Sequence, residues 1–148
     1  MKRKDIIYVA IQLILFTAYA FSPGKQIVAI PNVVRYAALG IAILGIIILL
    51  LALLQLNKNL SPFPTPKQGA QLVTNGLYHW VRHPIYSGII LFSYAYAIYS
   101  FSWLRLLIAC LLWLLFNLKS SYEEKLLSEK FYTYTDYQKN TPRFFPFL

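Results

Sequence analysis

Residues 85–118 read IYSGIILFSYAYAIYSFSWLRLLIACLLWLLFNL, and Arg105 is their only charge. At about 20 residues per bilayer crossing the stretch is too long for one membrane helix, so it predicts a helical hairpin. The turn falls at Ser100, Phe101 and Ser102, which leaves arms of Ile85 to Tyr99 and Trp103 to Leu118. Each arm is short, and Tyr96, Tyr99 and Trp103 stand where aromatic anchors mark a membrane boundary.

Two further apolar runs precede the hairpin. Ile6 to Phe21 is interrupted only by Gln12 and Thr17, and Val33 to Leu56 contains nineteen uncharged residues from Tyr36 to Leu54. The 148-residue chain is 58% hydrophobic, 17% aromatic and 13% charged, with mean hydropathy +0.53. Soluble domains carry about 45–50% apolar and about 25% charged residues. Too little charge is present to coat a water-facing globule, which excludes an ordinary soluble enzyme, a disordered tail and a disulfide-stapled module. The single cysteine, Cys110, excludes an internal disulfide and a cysteine-rich zinc site, and no histidine and carboxylate set has metal-ligand spacing. The prediction is an all-α membrane protein forming a single domain over residues 1–148. Its four transmembrane helices cover about 6–21, 33–56, 85–99 and 103–118, with cytosolic segments at 57–84 and 119–148.

The net charge of +9 would raise the question of nucleic acid in a soluble protein, but its placement points to lipid. With four crossings, eleven of the fourteen Lys and Arg residues fall on the side of the termini and the middle segment. Only Lys25, Arg35 and Arg105 fall on the other. This positive-inside bias makes the basic side cytosolic, in contact with anionic headgroups, and no nucleic-acid partner is expected. Ala18-Tyr19-Ala20 has the small-residue pattern of a signal-peptide cleavage site, yet Phe16, Tyr19 and Phe21 crowd it with rings, so the first helix is read as retained. The compact size favours a bacterial inner membrane.

Pro62, Pro64 and Pro66 make Ser61 to Pro66 an extended strap, and Thr74-Asn75-Gly76 is a turn signal. Ser121 to Tyr137 predicts a C-terminal amphipathic helix, with Leu127, Phe131 and Tyr134 on one face. Tyr122, Tyr132, Tyr134 and Tyr137 are read as its anchors.

Chemistry is concentrated in the two cytosolic segments. Between Gly76 and Tyr86 lie both histidines, His79 and His83, together with Arg82, Tyr78, Trp80 and Tyr86. Pro84 suits the first position of a helix, whose unpaired N–H groups beside Arg82 and His83 would receive an anion. The aromatic rings would stack on a base or hold a cation. The same residues also serve as interfacial anchors and positive-inside charges. A second candidate is Lys119 to Glu124, where Lys119 and Glu123 share a helix face and are spaced to pair.

Leu72-Val73-Thr74-Asn75-Gly76-Leu77-Tyr78, Val81-Arg82-His83-Pro84-Ile85-Tyr86-Ser87-Gly88, the hairpin, Glu123-Glu124, Phe131, Tyr134, Tyr137 and Thr141-Pro142-Arg143-Phe144 occur in this order. The combination, from about Pro62 to Phe147, resembles the isoprenylcysteine carboxyl methyltransferase and phospholipid methyltransferase superfamily of integral membrane enzymes. The resemblance implies methyl transfer from S-adenosylmethionine to a lipid or small hydrophobic acceptor at the cytosolic membrane face. It implies cofactor contacts from Leu72, Val73, Tyr78, His83, Pro84, Tyr86 and Glu123; the side chains read as catalytic are Lys119, Arg82 and Glu124. Lys119 stands where the prenylcysteine-methylating branch has an arginine, and Ala70 where it has a polar or histidine residue, so one cofactor contact is either missing or supplied by Gln71. An amine acceptor would pass its proton to Glu124 or His79, whereas a carboxylate or thiolate would be oriented by Lys119 or Arg82. Two other readings stay open. A nicotinamide-dependent membrane reductase of related fold would bind a reduced nicotinamide and no S-adenosylmethionine. A non-enzymatic scaffold would leave no cavity between the Arg82 to Tyr86 turn and Glu123.

Overall fold

The computed structural model describes residues 2–23 and 31–146; Lys25 and Phe147 lie outside them. Six α-helices are present among the described residues: α1 (Arg3–Phe21), α2 (Asn32–Leu56), α3 (Leu77–Trp80), α4 (Pro84–Tyr99), α5 (Trp103–Lys130) and α6 (Tyr134–Asn140). Helices α1, α2 and α5 are long and apolar enough to cross a membrane, and α4 is a shorter apolar helix. The molecule is an all-α integral membrane protein.

Packing follows from small residues as much as from large ones. Helix α2 lies against α4, α4 against α5, and α5 against α1. Gly45 of α2 meets Gly88 of α4 so closely that a Cβ on Gly88 would stand 2.7 Å from the Gly45 carbonyl oxygen. Backbones in lipid approach this way where side chains are absent, because aliphatic tails offer no hydrophobic penalty to drive bulkier contacts. Ala38, Ala42 and Ala52 continue the buried face of α2. Between α4, α5 and α1 the core is larger: Ile90, Ile108, Leu112 and Phe116 pack with Tyr19, whose hydroxyl donates to the Ser93 carbonyl at 2.6 Å. Phe144 of the C-terminal segment inserts into the same cluster.

The hairpin turns at Ser100 to Ser102, where Ser102 caps α5 by accepting the Arg105 N–H at 3.3 Å. At this end Arg105 lies over Tyr96 and donates to the Ser22 hydroxyl, and Arg35 lies over Tyr99. The opposite end carries a cap made of residues 57–83 and the chain after α5.

Two sequence expectations are corrected here. The last long helix does not end at Leu118 but runs unbroken to Lys130. Loss of apolar character after Leu118 marks a change of surroundings, and no glycine or proline follows to stop the helix. Its 28 residues extend about 42 Å, beyond a hydrocarbon core of about 30 Å. The amphipathic helix expected over Ser121 to Tyr137 is therefore divided between the end of α5 and the short α6. The break falls at Phe131 to Thr133, in a run of aromatic and β-branched residues with low helix propensity.

Candidate active site

The site is built where the start of α4 meets the outer part of α5. Gly76 has φ 60°, a conformation that costs residues with a Cβ, and it opens the single turn of α3. Leu77 N–H donates to Gln55 Oε1 at 2.8 Å, and Tyr78 turns inward to reach the Ala52 carbonyl at 3.4 Å. Residues 81–83 are not helical, so their N–H groups need other partners. Arg82 and His83 N–H donate to the carbonyls of Pro142 and Arg143 at 2.9 and 3.0 Å, and the Ser87 hydroxyl donates to the Phe144 carbonyl at 2.5 Å. The returning C-terminal segment thus holds the turn from which α4 begins at Pro84.

Lys119, Glu123 and Leu127 of α5 and Phe131, the residue that ends it, recur every four residues and line one cavity. Glu123 accepts the Tyr86 hydroxyl at 2.9 Å, and His83 Nδ1 stands 3.9 Å from the same carboxylate. The His83 ring stacks on Tyr86 at 5.4 Å, and Tyr86 stacks on Phe116 at 4.6 Å. Glu124 is turned about 100° away. Its buried carboxylate accepts from Arg82 Nε at 3.0 Å, His83 Nε2 at 3.1 Å, Arg143 Nη2 at 2.7 Å and Gln138 Nε2 at 3.2 Å. The Arg82 guanidinium also donates to the carbonyls of Gln138 and Thr141.

The cavity encloses about 380 Å³. Leu49, Leu53 and Ile89 form its wall inside the bundle, the strap from Ser61 to Pro66 contributes a flank, and Tyr78, Phe131, Tyr134 and Tyr137 line it at the cap. Burial pushes the phenols of Tyr78, Tyr134 and Tyr137 up, that of Tyr137 to about 12. These hydroxyls stay protonated at neutral pH, and those of Tyr78 and Tyr137 donate to the carbonyls of Ala52 and Tyr78.

Of the residues singled out in the sequence, Ala70, Gln71, Leu72, Val73, Tyr78, Arg82, His83, Tyr86, Lys119 and Glu123 line the cavity. Pro84 and Glu124 do not line it. His79 and Trp80 are exposed and lie outside it as well. The anticipated pairing of Lys119 with Glu123 does not form. Lys119 is 2% exposed, and its Nζ donates instead to Gln12 Oε1 at 2.6 Å and to the Pro62 carbonyl at 3.0 Å. Arg82 and His83, expected as open anion receptors, are occupied by Glu124. Gln12 lines the cavity and was not expected there: a polar residue inside an apolar helix was the available signal.

The two segments quoted from the sequence are therefore in direct contact, through Tyr86 and Glu123, beside an enclosed space. The phospholipid methyltransferase family profile matches residues 33–134, more than half of the chain. The chain belongs to the phospholipid methyltransferase family. Among solved structures it is similar to the eukaryotic intramembrane Ras methyltransferase ICMT, isoprenylcysteine carboxyl methyltransferase, at 25% identity and a TM-score of 0.67. That match covers 99% of this chain and 54% of the other, so the chain spans about half the length of the structure it matches. No curated protein sequence matches it. The family profile includes every cavity residue from α2 to α5 and begins after Gln12.

Proposed function

We propose that the protein transfers a methyl group from S-adenosylmethionine to the carboxylate of a hydrophobic acceptor at the cytosolic face of a membrane. One observation carries this reading: along one face of α5 and the residue that ends it, the cavity wall changes from Lys119 through Glu123 to Leu127 and Phe131. Family membership favours methyl transfer over nicotinamide reduction, and the cavity bordered by Tyr86 and Glu123 argues against a scaffold.

S-adenosylmethionine, when bound, supplies a methyl group on a positively charged sulfur. The residues present fit such a molecule. Glu123, whose side chain is 25% exposed, offers negative charge to its cationic portion. The backbone at Leu72 and Val73 and the rings of Tyr78 and Phe131 offer a flat, partly apolar recess to a base. The volume falls in the range of about 300–1,000 Å³ typical of small-molecule sites. Arg82 and Glu124 act by position: they hold His83, and His83 stacks on Tyr86, which in turn fixes Glu123.

At the bundle end, Leu49, Leu53 and Ile89 suit an apolar body, and Lys119 sets a cation beside them with no carboxylate within 4.0 Å among the described residues. That arrangement favours an anionic acceptor group, in keeping with the carboxyl methyltransferase among the similar structures. Glu124 and His79, the groups expected to take a proton from an amine, are outside the cavity. A carboxylate needs no base, so these side chains contribute alignment and exclusion of water, effects with a ceiling of about 7–11 kcal/mol. The excess of Lys and Arg at the cap end supports a cytosolic site.

The reading is tested by incubating detergent-purified protein with radiolabelled S-adenosylmethionine and either farnesoic acid or phosphatidylethanolamine. Base-labile label on the acid is expected, as a methyl ester. Label found only on the amine headgroup, stable to base, would overturn the carboxylate assignment.

A further inference from the structure

Gln12 is the polar residue of α1 that faces the cavity, and its partner determines how its amide is turned. An ammonium group can only donate, so the oxygen of the amide must face Lys119 Nζ, as it does at 2.6 Å. Gln12 Nε2 is then directed away from Lys119, and it donates to no protein group among the described residues. Lys119 has three N–H donors. Gln12 and Pro62 take one each, and the ammonium stands 5.5 Å from the centre of the Tyr86 ring, which leaves the third N–H without a hydrogen-bond acceptor among the described residues. An amide NH₂ and an ammonium N–H, neither with a hydrogen-bond acceptor among the described residues, therefore belong to two bonded side chains that line the cavity with Leu49, Leu53 and Ile89. Two adjacent donors, one of them charged, match the two oxygens of a carboxylate, whereas an alcohol or a protonated amine leaves at least one donor unmet. A polar amide in a membrane helix is costly unless it is used, and bonding to Lys119 uses only its oxygen.

We propose that Gln12 and Lys119 together form the receptor for the acceptor's carboxylate, and that Gln12 determines specificity for an acid. This rests on the proposed reading of the cavity as a methyltransferase site and deepens it by assigning the recognition to α1. Gln12 reaches no reacting atom of the cofactor site at Glu123, so its replacement should separate acceptor binding from cofactor binding.

The test measures binding to the full chain in detergent. Farnesoic acid and farnesol are titrated by isothermal calorimetry into wild type, Gln12→Met and Gln12→Glu, with S-adenosylhomocysteine as the control ligand. Wild type should bind the acid and discriminate against the alcohol. Gln12→Met should weaken acid binding about tenfold or more, as expected for loss of a hydrogen bond to a charged group, and leave farnesol and S-adenosylhomocysteine unchanged. Gln12→Glu, which sets a carboxylate against Lys119, should abolish acid binding and spare S-adenosylhomocysteine. Equal acid affinity in wild type and Gln12→Met would overturn the proposal. Parallel loss of S-adenosylhomocysteine binding in both variants would overturn it too, because Gln12 would then serve the fold. Wild type that binds S-adenosylhomocysteine but not the acid would refute this receptor and leave the cofactor site standing. Failure to bind S-adenosylhomocysteine would refute the reading beneath it.

Discussion

Glu123 and Glu124 are consecutive residues of one helix, yet they belong to different parts of the molecule. Glu124 is 3% exposed and is surrounded by donors from the α4 turn, the C-terminal segment and α6. Glu123 is 25% exposed, accepts one hydroxyl and borders the cavity. The first carboxylate is saturated by the protein and closes the structure. The second has capacity left over, which is the property a binding residue needs. The same contrast separates Arg82, which is paired with the Glu124 carboxylate, from Lys119, which has no carboxylate within 4.0 Å among the described residues. Charge near a membrane site is thus divided between groups that hold the frame and groups that face the ligand.

The largest expected effect comes from breaking the saturated side. Glu124→Ala leaves Arg82, His83 and Arg143 crowded without their shared partner, and removing one member of a buried ion pair costs about 3–5 kcal/mol. Thermal denaturation in detergent should show a marked fall in Tm or loss of the folded protein. A Glu124→Ala protein as stable as wild type would contradict the role given to the network. Next comes the framework remote from both carboxylates: Gly88→Val drives a side chain into the backbone of α2, and overpacking of this kind costs about 1–3 kcal/mol. That variant should unfold earlier while its residual folded fraction still binds S-adenosylhomocysteine. On the open side, Glu123→Gln should change Tm little, because its partners Tyr86 and His83 retain an acceptor. Its affinity for S-adenosylhomocysteine should fall about tenfold or more through loss of the charge. An unchanged affinity would remove Glu123 from the site. The smallest effect is expected for Tyr134→Phe. Its buried hydroxyl has no hydrogen-bond partner among the described residues, so deleting the oxygen should leave Tm unchanged or raise it slightly.

The spans were legible because crossing a bilayer demands an apolar length, and that length is written directly in Ile6 to Phe21 and Val33 to Leu56. The hairpin was legible at Ser100 to Ser102 for the same reason, since the run after Ile85 is too long for one crossing. Contacts that depend on the chain returning to itself were not. Nothing local to Glu124 announces that Arg143, nineteen positions away, completes its shell, and the amide groups of Arg82 and His83 find their acceptors only when the C-terminal segment docks. The four-residue spacing of Lys119 and Glu123 did put both on the cavity face. It did not foretell that Gln12 and the Pro62 carbonyl would draw the ammonium away. Gly45 and Gly88 each look ordinary until two helices cross at them. Tyr134, read as a surface anchor, is buried because α6 folds back over the cavity.

The account depends most directly on the cavity beside Tyr86 and Glu123 holding a nucleoside cofactor. Isothermal titration of S-adenosylhomocysteine into the purified wild-type protein tests this without knowledge of the acceptor. One saturable site per chain, with a ligand-dependent rise in Tm, is the predicted result. Absence of saturable binding to folded protein would contradict it.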